Sequence, residues 1–275
     1  MIFKSLKHIS FVFFFLVLFS SYGWGQPSDM GAPSAPKLSE KENVQTSLEE
    51  INRLMDKGNL LEAKAKLQSL PGESLSEADS KSVQDVLEQL NLKILFSPTQ
   101  TPDSLIYTVL NGDSLSKIAK KHSTTIDLIK KSNSLEKDQI RSGMKLKISK
   151  ATYSIAVDIS KNQLKLWSGG EVLKTYPVAT GKPGYGTPTG TFTIVNKLEH
   201  PTWYKAGAVK PPDSPGNILG TRWLGFSLKG YGIHGTTLPE TIGAHASDGC
   251  IRMLNQDVEE LYVIVPTQTK VTVTD

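Results

Sequence analysis

From Thr152 onward, apolar residues fall on alternate positions, and a period of two can bury one face only as a β-sheet. Ile155, Val157 and Ile159 alternate with polar neighbours, as do Leu164 and Leu166. Val172, Tyr176 and Val178 extend the pattern, then Phe192 and Ile194, then Val271 and Val273. Asn162-Gln163 and Gly169-Gly170 supply tight turns between strands. One helix is predicted, with Asn255 as its cap and Asp257, Glu259 and Glu260 in its first turns, where acidic side chains suit the positive end of the helix dipole. Residues 152–275 therefore read as a mostly-β domain with enough chain for a core of its own.

The rest of the sequence has other periods. Residues 26–39 are rich in Pro, Ser, Gly and Ala and read as a linker. Residues 40–96 form a small helical segment: Val44, Leu48, Ile51 and Met55 recur at three- and four-residue steps, then Leu60, Ala63, Leu67 and Leu70, then Val83, Val86, Leu87, Leu90 and Ile94. Gly58-Asn59 and Pro71-Gly72 separate the three runs. Such a pattern is unspecific and suits a packed spacer or a weak interaction surface. Residues 97–104 form a second linker. Residues 105–149 are a compact unit of strand, helix, helix, strand, with Ser114 capping the first helix and Thr125 opening the second.

The first residues place Lys4, Lys7 and His8 before an apolar run from Ile9 to Phe19, followed by small and polar residues to Gly25. This is the layout of a signal peptide over residues 1–25. The run is shorter than a membrane span, so export with no transmembrane span after cleavage is expected, to a periplasm or cell wall. The segment has no cysteine for a lipid anchor. Its removal takes two lysines from a formal net charge of +4, too little to suggest nucleic acid as a partner.

Two stretches carry candidate chemistry: Ile233-His234-Gly235-Thr236, and Ala246 to Met253 around the chain's one cysteine, Cys250. A lone cysteine in an exported chain forms no internal disulfide; it reads as a reactive thiol, as one half of an intermolecular pair, or as a small buried side chain. Thiol attack needs the thiolate, and a histidine within hydrogen-bond reach can take the proton and later return it to a leaving amine. Glycines beside both residues allow close backbone approach to a substrate. Arg252 either favours the thiolate or forms a structural ion pair. His234, His245, Asp248 and Cys250 include possible zinc ligands, but their spacing fits no standard site and no metal is expected.

Two resemblances sharpen this. "YTVLNGDSLSKIAKKHSTTIDLIKKSN" with "IRSGMKLKI" resembles a LysM module. It implies a βααβ fold that binds N-acetylglucosamine-containing glycan strands, with Gly112, Asp113, Ser114, Leu115 and Asn133 in the two loops lining the groove. "ATGKPGYGTPTGTF", "GIHGT" and "SDGCIRM" together resemble the YkuD-like L,D-transpeptidase catalytic domain. That resemblance implies a β-sandwich-like fold with no cofactor, Cys250 as nucleophile and His234 as base. It implies that the Gly235 carbonyl orients the imidazole and that the amides of Gly249 and Cys250 form an oxyanion hole. Tyr231, Trp223, Arg222, Arg252 and Ser247 are expected to bind substrate.

The implied reaction acts on peptidoglycan stem tetrapeptides, through a Cys250 thioester, to cross-link two stems. Water as the acceptor would make the protein an L,D-carboxypeptidase, and an inert cysteine would leave a wall-binding protein. The family's motif often reads Ser-His-Gly-Cys, whereas this chain has Ser247-Asp248-Gly249-Cys250. Asp248 is not expected to be the base, and His245 is expected to be a surface or structural residue.

Overall fold

A computed structural model describes residues 40–70, 75–205, 207–212 and 214–275. The signal segment, the 26–39 linker and the Pro71-Gly72 break lie outside the described residues. Three helices come first: α1 (Glu40–Asp56), α2 (Leu60–Gln68) and α3 (Glu77–Leu95). Their periodic residues meet in one cluster, with Ile51, Ala63 and Leu90 fully buried. Ser76 caps α3 by accepting from the Asp79 amide.

The next unit is β1 (Ser104–Thr108), α4 (Leu115–Lys121), α5 (Ile126–Ser132) and β2 (Lys145–Ser149), with β1 and β2 antiparallel. Ser114 and Thr125 cap its helices through Lys117 N–H and Leu128 N–H. The order is the βααβ that the sequence predicts. Val109, Ile118, Ile129, Leu146 and Ile148 make its core.

The last unit holds β3 (Tyr153–Asp158), β4 (Gln163–Ser168), β5 (Glu171–Pro177), β6 (Thr180–Gly181), β7 (Gly190–Glu199), β8 (Trp203–Lys205), β9 (Ala208–Lys210), β10 (Arg222–Phe226), β11 (Gly232–His234), β12 (His245–Ser247), β13 (Ile251–Arg252), α6 (Asn255–Ile264) and β14 (Lys270–Thr274). Eight of the strands form one sheet in the order β13-β11-β10-β7-β14-β3-β4-β5. The sheet curls around α6. From one end Tyr176 of β5 donates its hydroxyl to Glu260 at 2.7 Å, and from the other β10 and β11 pack on the same helix. Val258, Leu261 and Ile264 of α6 share a core with Ile155, Leu164, Ile194, Ile233 and Val271. Each such side chain contributes roughly 1.5–3 kcal/mol when fully buried.

The alternation expected across Val172, Tyr176 and Val178 is broken. Leu166 faces Lys174 while Trp167 faces Val172, so Leu173 is the extra residue of a β-bulge and turns inward in place of Val172. The expected Asn255 cap is also absent. Leu254 occupies the cap position of α6 with no side-chain bond to the helix, because the Asn255 side chain is turned elsewhere.

The three units are joined by specific bonds. β5 is an edge strand, and α3 covers it: Glu88 accepts from the Thr175 amide at 3.1 Å, and Leu92 enters the core of this last unit. A bare edge would leave such amides open to another strand. Ser132 donates to the Leu95 carbonyl at 2.8 Å, Thr125 donates to the Val263 carbonyl, and Ser149 meets the Tyr153 hydroxyl at 3.0 Å.

Lys147 is buried, and its ammonium donates to the carbonyls of Ile94 at 2.7 Å and Ser97 at 2.8 Å, closing the C-terminus of α3. Burial pulls its pKa down to about 8. Residues 97–104, read as a linker, are thus held at their start from β2. Lys147→Met should leave these carbonyls unpaired and lower stability by about 1–3 kcal/mol in urea unfolding, with faster amide exchange at the end of α3. An unchanged midpoint and exchange rate would refute this role for the lysine.

Candidate active site

β10, β11 and β13 set the geometry. Trp223 lies opposite His234 across an antiparallel pair, and His234 lies beside Arg252 across a parallel pair. Residues paired in this way share a face, so the three form one row across the sheet. The Trp223 and His234 rings stack with centroids 6.0 Å apart and planes 19° apart. Gly232, two residues earlier on β11, leaves room for the indole: an added Cβ there would meet Trp223 Cζ2 at 2.9 Å. The row ends at the turn into β13, which carries Cys250.

His234 is buried, with Nδ1 2.6 Å from the Gly235 carbonyl. Burial drives its pKa down to about 4. The carbonyls of Gly235 and Leu219 oppose this by favouring the charged ring, while the Arg252 charge adds to it. Cys250 is half-buried. Its thiol donates to the Gly230 carbonyl at 3.6 Å. Burial raises the thiol pKa and Asp248 adds to the rise; the Gly232 amide and the Arg252 charge pull it back. Both groups are therefore neutral at rest near pH 7. Arg252 supports the thiolate and disfavours the imidazolium.

The turn at Ser247 to Cys250 is braced from within. The Ser247 hydroxyl donates to the Cys250 carbonyl at 2.6 Å and accepts from the Gly249 amide at 3.1 Å. Gly249 has φ +108, and an added Cβ would sit 3.0 Å from Tyr231 Cε1 and 3.3 Å from the Gly186 carbonyl, so glycine is required there. Tyr231 and the 185–186 loop thus border the cysteine turn. Asp248 pairs with Lys182 at 2.8 Å, and the Lys182 ammonium lies 4.7 Å from the Tyr185 ring centroid. His245 is exposed and meets the Thr180 hydroxyl at 2.8 Å.

The structure sets Trp223, His234 with its Gly235 carbonyl, and Arg252 in one row, and Tyr231, Gly249 and Cys250 at the turn that leads into β13. It separates others. Arg222 neighbours Trp223 on β10 and so faces the opposite way, over the Tyr262 ring of α6 at 5.4 Å; strand alternation excludes it from the row. Ser247 is buried with its hydroxyl committed to the turn, which removes it from substrate contact. The Gly249 amide is already donated to Ser247, so it is not an open oxyanion donor. Leu219, Asn255 and Lys182 border the site although their own residue types gave no signal for it.

In the βααβ unit the expected groove residues divide in the same way. Gly112, at φ +82, and Ser114 are exposed. Leu115 is buried in the unit's core. Asp113 accepts from the Tyr107 hydroxyl and the Leu110 amide, both at 2.8 Å. Asn133 donates to the carbonyls of Ile129 and Lys147 and accepts from the Lys147 amide. Its carboxamide ties the unit together and is not free for a sugar. Among the described residues, no cluster of three or more His, Cys, Asp or Glu side chains could hold a metal ion. Nor is any helix among them long and apolar enough to cross a membrane.

A mostly-β domain with this Cys–His edge, preceded by a βααβ module, has the architecture of a LysM-bearing L,D-transpeptidase. Residues 152–273 match the YkuD family, described as the L,D-transpeptidase catalytic domain, and residues 107–149 match the LysM domain. The chain is 37% identical over 177 residues to the protein named L,D-transpeptidase YkuD of Bacillus licheniformis, an alignment covering 62% of this chain and 99% of that protein. Against the Bacillus subtilis YkuD it is 37% identical over 175 residues, covering 62% and 98%. Against YqjB of Bacillus subtilis it is 40% identical over 126 residues, covering 44% and 70%. The chain belongs to the YkuD family of L,D-transpeptidases, and its two domains mark it as a peptidoglycan-binding protein.

Two outcomes follow from the electrostatics. Alkylation of Cys250 by iodoacetamide should be slow at neutral pH and should still be climbing past pH 9.0, the ordinary value for a free thiol. A fast, flat rate across neutral pH would mean that the thiolate is preformed. Acidification from 6.5 to 4 protonates His234 in the unfolded chain before the folded one. The folded state then loses stability as pH falls, by at most about 3 kcal/mol from this residue. His122, whose pKa is also lowered by burial, adds loss of the same sign. In urea unfolding, His234→Gln should flatten the acid limb relative to wild type; parallel curves would show that the imidazole is not shielded.

Proposed function

We propose that the protein is an exported peptidoglycan L,D-transpeptidase in which Cys250 is the nucleophile and His234 the base. The observation that carries this is the β11–β13 pairing. It sets His234 beside the turn that holds a half-buried Cys250, with the Arg252 charge favouring the thiolate and the Gly235 and Leu219 carbonyls favouring the protonated ring. Sγ attacks the carbonyl carbon between the third stem residue and the terminal D-alanine, and its proton passes to His234. The C–N bond then breaks, His234 returns the proton to the departing amine, and a thioester remains. The amine of a second stem attacks the thioester, an amide forms, and the thiol is restored. Splitting the exchange into two acyl transfers lowers each barrier. The Cys250 amide is the donor left for the oxyanion once Gly249 is engaged by Ser247.

Trp223 and Tyr231 would border the acyl chain, and the exposed Gly112 and Ser114 would face N-acetylglucosamine-containing strands. Binding the polymer raises the local concentration of stems. Export rests on the basic and apolar residues of the first 25 positions.

Purified protein incubated with tetrapeptide muropeptides should yield cross-linked dimers and free D-alanine by mass spectrometry, and Cys250→Ala should yield neither. Tripeptides alone would make water the acceptor, and dimers from the alanine variant would remove Cys250 from the chemistry. Asp248→Ala should retain most of the activity, because its carboxylate is paired with Lys182 and opposes thiolate formation. Abolished turnover in that variant would contradict the assignment of His234 as base.

A further inference from the structure

Asn255 opens α6, yet its side chain serves two loops. Oδ1 accepts from Thr221 N–H at 3.2 Å and from Thr236 N–H at 3.0 Å. One loop leads into β10 and the other leaves β11. Each meets the carboxamide at a glycine: a Cβ added to Gly220 would lie 2.1 Å from Oδ1, and one added to Gly235 would lie 2.2 Å from it. No larger residue fits at either point while Asn255 holds its place. Gly235 supplies the carbonyl 2.6 Å from His234 Nδ1, and Leu219, the other carbonyl that bears on the imidazole, lies in the Gly220 loop. One carboxamide oxygen therefore holds both backbone segments that present oxygen to the ring.

A ring nitrogen 2.6 Å from a carbonyl carries the hydrogen, so the neutral imidazole has Nδ1–H and a free lone pair on Nε2. We propose that Asn255 is a positioning residue that fixes His234 in the Nδ1–H tautomer, with Nε2 left to accept a proton. It acts through Gly235 and touches neither the sulfur nor a substrate. The proposal rests on the reading of His234 as the base.

The test uses the full chain labelled with 15N-histidine, as wild type, Asn255→Ala and Asn255→Asp. Nitrogen shifts of the His234 ring report the tautomer without any turnover. Wild type should show Nδ1–H. Asn255→Ala should show a mixture with Nε2–H, and kcat should fall about 100-fold while KM stays within about twofold. Asn255→Asp keeps an acceptor oxygen in the same place and should restore both readouts. If the alanine variant does not fold, Asn255→Ser replaces it with a smaller acceptor and should give the same mixture.

An unchanged tautomer in the alanine or serine variant overturns the proposal, as does failure of the aspartate to restore it. A wild type without turnover, whose tautomer still responds to Asn255→Ala, would defeat the proposed reaction and leave the positioning role standing.

Discussion

The parallel pairing of β11 with β13 is the constraint from which the site follows. These strands are three and two residues long, at one edge of an eight-stranded sheet. Their register puts an imidazole from one strand against a guanidinium from the other, two residues past the cysteine turn. Everything nearby keeps that register in place. Trp223 stacks on the ring, Ser247 ties the turn to itself, and Gly249 lets the backbone pass Tyr231 at a φ that other residues rarely adopt.

Burial disfavours charge on both the sulfur and the ring, so the resting pair is neutral. Arg252 and the Gly232 amide then lower the energy of the thiolate, while Arg252 opposes the imidazolium. The carbonyls of Gly235 and Leu219 supply the compensating pull on the ring. Asp248 is paired with Lys182, and that pairing blunts the repulsion it would exert on the sulfur.

Much of this fold is legible in the chain because burial follows a simple period. Ile155, Val157, Leu164 and Leu166 alternate cleanly, and the three N-terminal runs show helical spacing throughout. The period fails where the backbone adds a residue: no local signal marks Leu173 as a bulge, since it is apolar like its neighbours. Residues with two uses were the harder ones. Asn255 before acidic residues reads as a helix cap, because capping is the local use of such a side chain, but its partners at Thr221 and Thr236 are 34 and 19 residues away. Asn133 and Ser247 read as polar groups offered to a ligand and are spent on the backbone. Arg222 and Trp223 are adjacent on a strand, and alternation alone forbids both from facing one cleft.

The LysM module also has its own hydrogen bonds and apolar contacts to the rest of the chain. Thr125 reaches α6, Ser132 and Lys147 reach the end of α3, and Leu128 sits in the catalytic core. A module docked in this way is a bracket, not a leash: it keeps one orientation against α3 and α6 where a free linker would let it swing.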